Sequence, residues 1–216
     1  MAAEPRAFVA EQFADARQQR TAATLGMWVF LATEVLFFGL LLADYLAIRY
    51  IHAGAFALGS QHTDLVLGSV NTGVLLTSSL TIALAVRAAA LGRDRATTGW
   101  LAATMILGTA FLAIKGFEYR QEYLEGLVPF LGFRYDGPRG EGVELFFILY
   151  FVMTGLHALH LLIGIAVVGA VAFLNARGRF SRPWHTPVGL TGLYWHFVDV
   201  VWIFLFPLFY LVARIA

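Results

Sequence analysis

The sequence predicts an all-α, polytopic membrane protein, a bundle of five transmembrane helices. Three observations carry that reading. Five stretches are apolar enough, and longer than the ~20 residues a helix needs, to cross a hydrocarbon core of about 30 Å. Of 216 residues, 59% are hydrophobic and only 13% are charged, with a mean hydropathy of +0.72; a soluble domain of this length would need far more polar surface. The charges that remain cluster between the apolar stretches. The net charge of +1 says little, and the absence of cysteine excludes disulfides, thiolate metal sites and a cysteine nucleophile.

Residues 1–22 form a polar arm with Arg6, Arg17 and Arg20, expected as a surface helix or a partly disordered segment on the cytoplasmic side. It does not read as a cleavable signal, because the apolar run behind it is too long. The remainder, 23–216, is the transmembrane domain. Its first span, about 23–50, includes LGMWVFLATEVLFFGLLLADYLAIR and carries Glu34 near its middle. A carboxylate at that depth is costly and normally faces a bundle interior.

A short loop over 52–64 leads to the second span, about 65–90, with Asn71, Thr72, Thr77, Ser78, Ser79 and Thr81. Small hydroxyl residues suit close helix packing and can bond back to their own helix. The third span, about 98–119, runs into KGFEYRQEYLEG. Lys115, Glu118 and Glu122 are three and four residues apart, so they share a helical face, expected as an interfacial ion-pair face. A Gly- and Pro-rich loop over 127–142 precedes the fourth span, about 143–175, which holds His157 and His160. The linker RGRFSRPWHTP introduces the fifth, about 188–212, with His196 and Asp199.

With five spans, the amino-terminal arm and the second and fourth connections share one side. They hold Arg6, Arg17, Arg20, Arg87, Arg93, Arg95, Arg177, Arg179 and Arg182, nine of the 15 basic residues. The positive-inside rule therefore places the amino terminus in the cytoplasm and the carboxyl terminus outside, and Trp28, Trp100 and Trp184 fit an aromatic belt on the inner side. There is no internal repeat and no inverted pair of broken helices of the kind transporters use.

At ~1.5 Å rise per residue, Glu34 lies about 12 Å into the first span, with His196 and Asp199 about 12–16 Å into the fifth from the same side. His157, His160 and Asn71 fall near mid-membrane. These six groups are expected to form one interior polar cluster, since each must be paired or neutral in hydrocarbon. Three roles are open at this point: metal or haem ligation by His157, His160 and His196, a proton-conducting carboxylate at Glu34, or mutual satisfaction of buried polar groups for packing specificity. No nucleotide loop, nucleophile elbow or nucleic-acid-binding surface is present in the sequence.

Several stretches match one family: MWVFLATEVLFFG, NTGVLLTSS, FEYRQEY, YFVMTGLHALHLLIG and YWHFVDVVWIFLF resemble subunit III of the haem–copper cytochrome c oxidases. They fall in order, one to a span, and the chain looks like the short five-helix bacterial form that lacks the first two helices of the longer version. The resemblance implies a subunit of the bacterial inner membrane with no catalytic, cofactor or metal site of its own. Haems and copper belong to subunits I and II; subunit III packs on subunit I, beside subunit II and a small subunit IV, and supports assembly, proton uptake and protection from turnover-linked inactivation. It also implies that Glu34 is the family's carbodiimide-reactive carboxylate, that His157 and His160 are its HxLH pair, and that His196 and Asp199 belong to its WHFVDxVW motif. Bound phospholipid and cytochrome c as the complex's electron donor follow from the same likeness. The accessory subunits of ubiquinol oxidases and nitric oxide reductases are similar; the former tends to carry Asp where Glu34 stands. A free-standing proton carrier is the reading from another class.

Overall fold

The computed structural model describes residues 9–129, 131–180 and 184–215, so Arg6 and Arg182 lie outside the described residues. Five long helices are arranged as the hydropathy requires: α1 (Ala16–Ile51), α3 (Leu65–Ala90), α4 (Asp94–Leu124), α5 (Gly140–Ala176) and α6 (Thr186–Tyr210). Two short ones, α2 (Ala53–Gln61) and α7 (Val212–Ile215), join them, and no strand occurs among the described residues.

Helix α1 starts seven residues before the expected span, inside the polar arm. The cause is local: Asp15 is the N-cap and accepts from Gln18 N at 2.6 Å, while Gln18 Oε1 reaches back to Ala14 N at 2.7 Å. This is the reciprocal logic of a capping box. At 36 residues α1 is about 54 Å long, well beyond the hydrocarbon thickness. It buries only Leu31, Phe38 and Tyr45, each seven residues from the next, so it rides on the bundle along a single seam. Its other faces expose Trp28, Val35, Leu36 and Leu40, as a lipid-facing helix would.

The segment expected as a loop over 52–64 contains α2. Its Phe56 is fully buried, edge-on to Tyr45 and Phe146 with ring centroids 5.3 and 5.5 Å away. Nine residues with no polar face leave little periodic signal, and tertiary packing stabilises the helix. Asp64 then caps α3 through Val66 N and Leu67 N. Residues 91–93 turn the chain from α3 into α4, with Gly92 at φ 69° and Arg93 N bonded to Ala88 O. That is the left-handed helix stop glycine favours. Thr81 Oγ1 and Thr104 Oγ1, 2.8 Å apart, stitch the α3–α4 hairpin, and Thr72, Thr77 and Ser78 bond back to their own helix.

Helix α6 occupies the middle, packed on α1, α3 and α5. Its Trp195 ring is fully buried against Gly108 of α4 and Gly164 of α5, where a Cβ would come within 2.7 and 3.3 Å of the indole. The indole N–H of Trp195 donates to Ser78 Oγ at 3.0 Å, and that of Trp202 to Thr72 Oγ1 at 2.9 Å. Both large rings are thus buried with their one polar atom satisfied. The helix ends near Pro207, and Tyr45 of α1 donates its hydroxyl to the Leu208 carbonyl.

Candidate functional site

Glu34 projects from α1 onto α5, where its Oε2 is 3.1 Å from His160 Nε2. The other ring nitrogen, His160 Nδ1, lies 2.8 Å from the Leu156 carbonyl oxygen. A carbonyl only accepts, so Nδ1 carries a hydrogen. Nε2 and Oε2 then share a single proton, as an ion pair or as a neutral acid on a neutral imidazole, and the unit carries no net charge in either form. Phe38 stands edge-on to the imidazole at 5.1 Å, and Tyr194 donates to the His160 carbonyl at 2.9 Å. The side chains remain 15% exposed at His160 and 18% at Glu34, so the pair sits at the rim of the bundle, not in its centre.

The six groups expected in one cluster are distributed over three places. Glu34 and His160 form the pair just described. His196 of α6 meets Ser79 of α3 at 2.8 Å, and Asp199, one turn on, is buried nearby. Asp199 is close enough to Ser79 to feel its hydroxyl, yet neither of its oxygens has a well-formed hydrogen bond among the described residues. His157 points into the core between Trp202 at 5.1 Å and Phe111 at 5.6 Å, with no hydrogen bond to either nitrogen, and Asn71 donates to the Phe111 carbonyl at 3.3 Å. Depth along each helix was readable from residue number; the direction each side chain faces depends on helix rotation, which residue number does not give. His157, His160 and His196 face three different neighbours, and among the described residues no group of three or more His, Cys, Asp or Glu is placed to hold a metal ion.

Lys115, Glu118 and Glu122 do share a face, but it is turned inward: they are 2%, 2% and 3% exposed. This corrects the expectation of an interfacial face. Two residues not singled out from the sequence explain it. Lys115 Nζ donates to Glu118 Oε2 at 3.0 Å and to the hydroxyls of Tyr150 on α5 and Tyr210 on α6, each at 2.6 Å. Tyr210 in turn donates to Glu118 Oε1 at 2.6 Å. The ammonium also lies 4.4 Å from the centre of the Tyr150 ring, within cation–π range. The only signal for this in the sequence was the two tyrosines, Tyr150 inside an apolar span and Tyr210 late in another, whose hydroxyls need polar partners once buried.

Fold and interior together define a polytopic helical membrane protein with ionisable pairs inside its bundle, Glu34 with His160 across a helix seam and Lys115 with Glu118 along α4. A family model described as cytochrome c oxidase subunit III matches residues 10–214. The chain is 35% identical over 191 residues to cytochrome c oxidase subunit 3 of Thermostichus vulcanus, covering 88% of this chain and 87% of that one. It is 30% identical over 192 residues to the cytochrome bo(3) ubiquinol oxidase subunit 3 of Pseudomonas putida, covering 88% and 85%. A heme-copper oxidase subunit I+III of Aeropyrum pernix is 31% identical over 198 residues, 86% of this chain and 22% of that longer protein. The chain belongs to the cytochrome c oxidase subunit III family.

Proposed function

We propose that this chain is the non-redox accessory subunit of a proton-pumping haem–copper terminal oxidase that reduces oxygen to water, with the haems and copper held by subunits I and II. The observation that carries this reading is the family match across residues 10–214, seconded by relatives of nearly equal length named as oxidase subunit 3. The fused subunit I+III relative supports direct packing on subunit I, since the two units occur there in one polypeptide. Subunit II and a small subunit IV complete the assembly, phospholipid binds to it, and cytochrome c donates the electrons. The arginine distribution supports an amino terminus in the bacterial cytoplasm and a carboxyl terminus outside.

Within that complex the chain's own residues bind and orient. The aromatic core around Trp195 and Trp202 makes a rigid bundle, and α1 offers its apolar faces to lipid and to partner subunits. The Glu34–His160 unit holds one proton between Oε2 and Nε2 at the bundle rim. A net-neutral unit of this kind tolerates hydrocarbon and still hands a proton on, which suits support of proton uptake by subunit I.

The test is purification of the complex with its subunit masses, haem spectrum and donor preference. Co-purification with subunits I and II and oxygen turnover with cytochrome c meet the proposal. A quinol donor would favour the second reading, a quinol oxidase, which the Pseudomonas putida relative supports. Nitric oxide turnover with only b and c haems would assign the chain to a reductase. A stable lone chain that moves protons would make it a free-standing carrier.

A further inference from the structure

Glu122 is the buried carboxyl group that the Lys115 network leaves over. The Lys115 ammonium has three hydrogens, and all three are used, on Glu118, Tyr150 and Tyr210. Glu118 accepts from Lys115 on one oxygen and from Tyr210 on the other. One cation and one anion therefore close a neutral unit, with the Tyr150 hydroxyl hydrogen free to turn toward Glu122. Glu122, four residues on along α4, is 3% exposed, and neither of its carboxyl oxygens has a well-formed hydrogen bond among the described residues, although the Tyr150 hydroxyl, whose own hydrogen Lys115 does not use, is close enough to act on it.

The groups that act on Glu122 are Lys115, Glu118 and Glu125 from α4 and its cap, and Tyr150 from α5. Tyr119 of α4 and Tyr210 of α6 also lie within its electrostatic reach. Lys115 is the single cation in that company, and its donors are committed. A second carboxylate here would be an unpaired anion in a medium that cannot solvate it, whereas the protonated acid carries no charge.

Water is nevertheless close. Helix α4 ends two residues later at Leu124, and Tyr123, Leu124 and Glu125 are exposed. The chain then folds back: Gly126 takes φ 73°, Leu127 N bonds to Glu122 O at 2.9 Å, and Leu127 itself is buried. Glu122 thus sits one turn inside the helix end, beneath the first residues of the α4–α5 connection.

We propose that Glu122 is a proton-binding site of the bundle, holding one proton beside the Lys115–Glu118 pair and exchanging it with water on the side of the α4–α5 connection. The site is distinct from Glu34–His160, which lies at the α1–α5 seam.

Infrared spectroscopy of the purified complex at neutral pH tests this through the C=O stretch of protonated carboxylic acids. The charge count fixes the pattern. Glu122→Gln loses one such band relative to wild type. Glu118→Gln loses it as well, because Lys115 then pairs with Glu122 as carboxylate. Lys115→Met doubles it, because Glu118 loses its cation. Transfer of wild type to D2O shifts the band. A difference spectrum between wild type and a folded Glu122→Gln complex with no carboxylic band overturns the site, and a band that ignores D2O overturns the exchange. Should Glu122→Gln not assemble, Lys115→Met with an unchanged band overturns the proposal on its own.

Discussion

Glu34 Oε2 and His160 Nε2 are 3.1 Å apart across the α1–α5 seam, and the Leu156 carbonyl fixes the hydrogen on the other imidazole nitrogen. The two side chains therefore form one single-proton unit. It is the only direct bond between members of the six-residue set expected to cluster, among the described residues, and it ties the otherwise loosely attached α1 to the bundle.

Glu34→Gln keeps a side-chain amide that can donate to or accept from Nε2. Assembly and basal turnover are expected to stay close to wild type, with a stability change of about 1 kcal/mol or less. Subunit content and oxygen consumption of the purified complex check this; loss of all turnover in a fully assembled variant would contradict it.

His160→Ala removes the partner and leaves the carboxyl at the rim unsatisfied. A cost of about 1–3 kcal/mol is expected, read as a lower melting temperature. Combining it with Glu34→Gln should recover part of that loss, and strictly additive effects in the cycle would argue against the coupling.

His196 is bonded to Ser79, not to Asp199. Ser79→Ala is thus expected to destabilise by about 1–3 kcal/mol through the orphaned imidazole, whereas Asp199→Asn, which replaces a buried carboxyl lacking well-formed hydrogen bonds by an isosteric amide, is expected to be nearly neutral. Thermal unfolding in detergent separates the two, and a larger loss for Asp199→Asn would reverse the assignment.

Gly108→Ala drives a methyl toward the buried Trp195 ring, where a Cβ meets the indole at 2.7 Å. Overpacking of this kind costs about 1–3 kcal/mol. Gly99→Ala, on the same helix with nothing within 4 Å, is the control and should not lower the melting temperature.

Five spans were legible because continuous apolar length is a one-dimensional property, and the caps Asp15, Asp64 and Gly92 were in plain sight as residue types. What escaped was rotational. Nothing in the spacing of Lys115, Glu118 and Glu122 tells whether their shared face looks out or in; Tyr150 and Tyr210, thirty-five and ninety-five residues away along the chain, decide it. Likewise His157 and His160, three apart, diverge because α5 presents one to Trp202 and the other to α1. Helix α2 was missed because nine residues, all but Gln61 apolar or small, carry no periodic signature.

Inside the bundle Glu34 pairs with His160 and Lys115 with Glu118, and the chain is proposed to serve haem and copper held by other subunits. Mass spectrometry with metal and haem quantitation on the gently solubilised protein tests it most directly. The chain is expected to co-purify with a haem- and copper-bearing subunit I and, once separated from it, to carry neither. Stoichiometric haem or copper on the isolated chain, or a monodisperse chain that never binds subunit I, would contradict it.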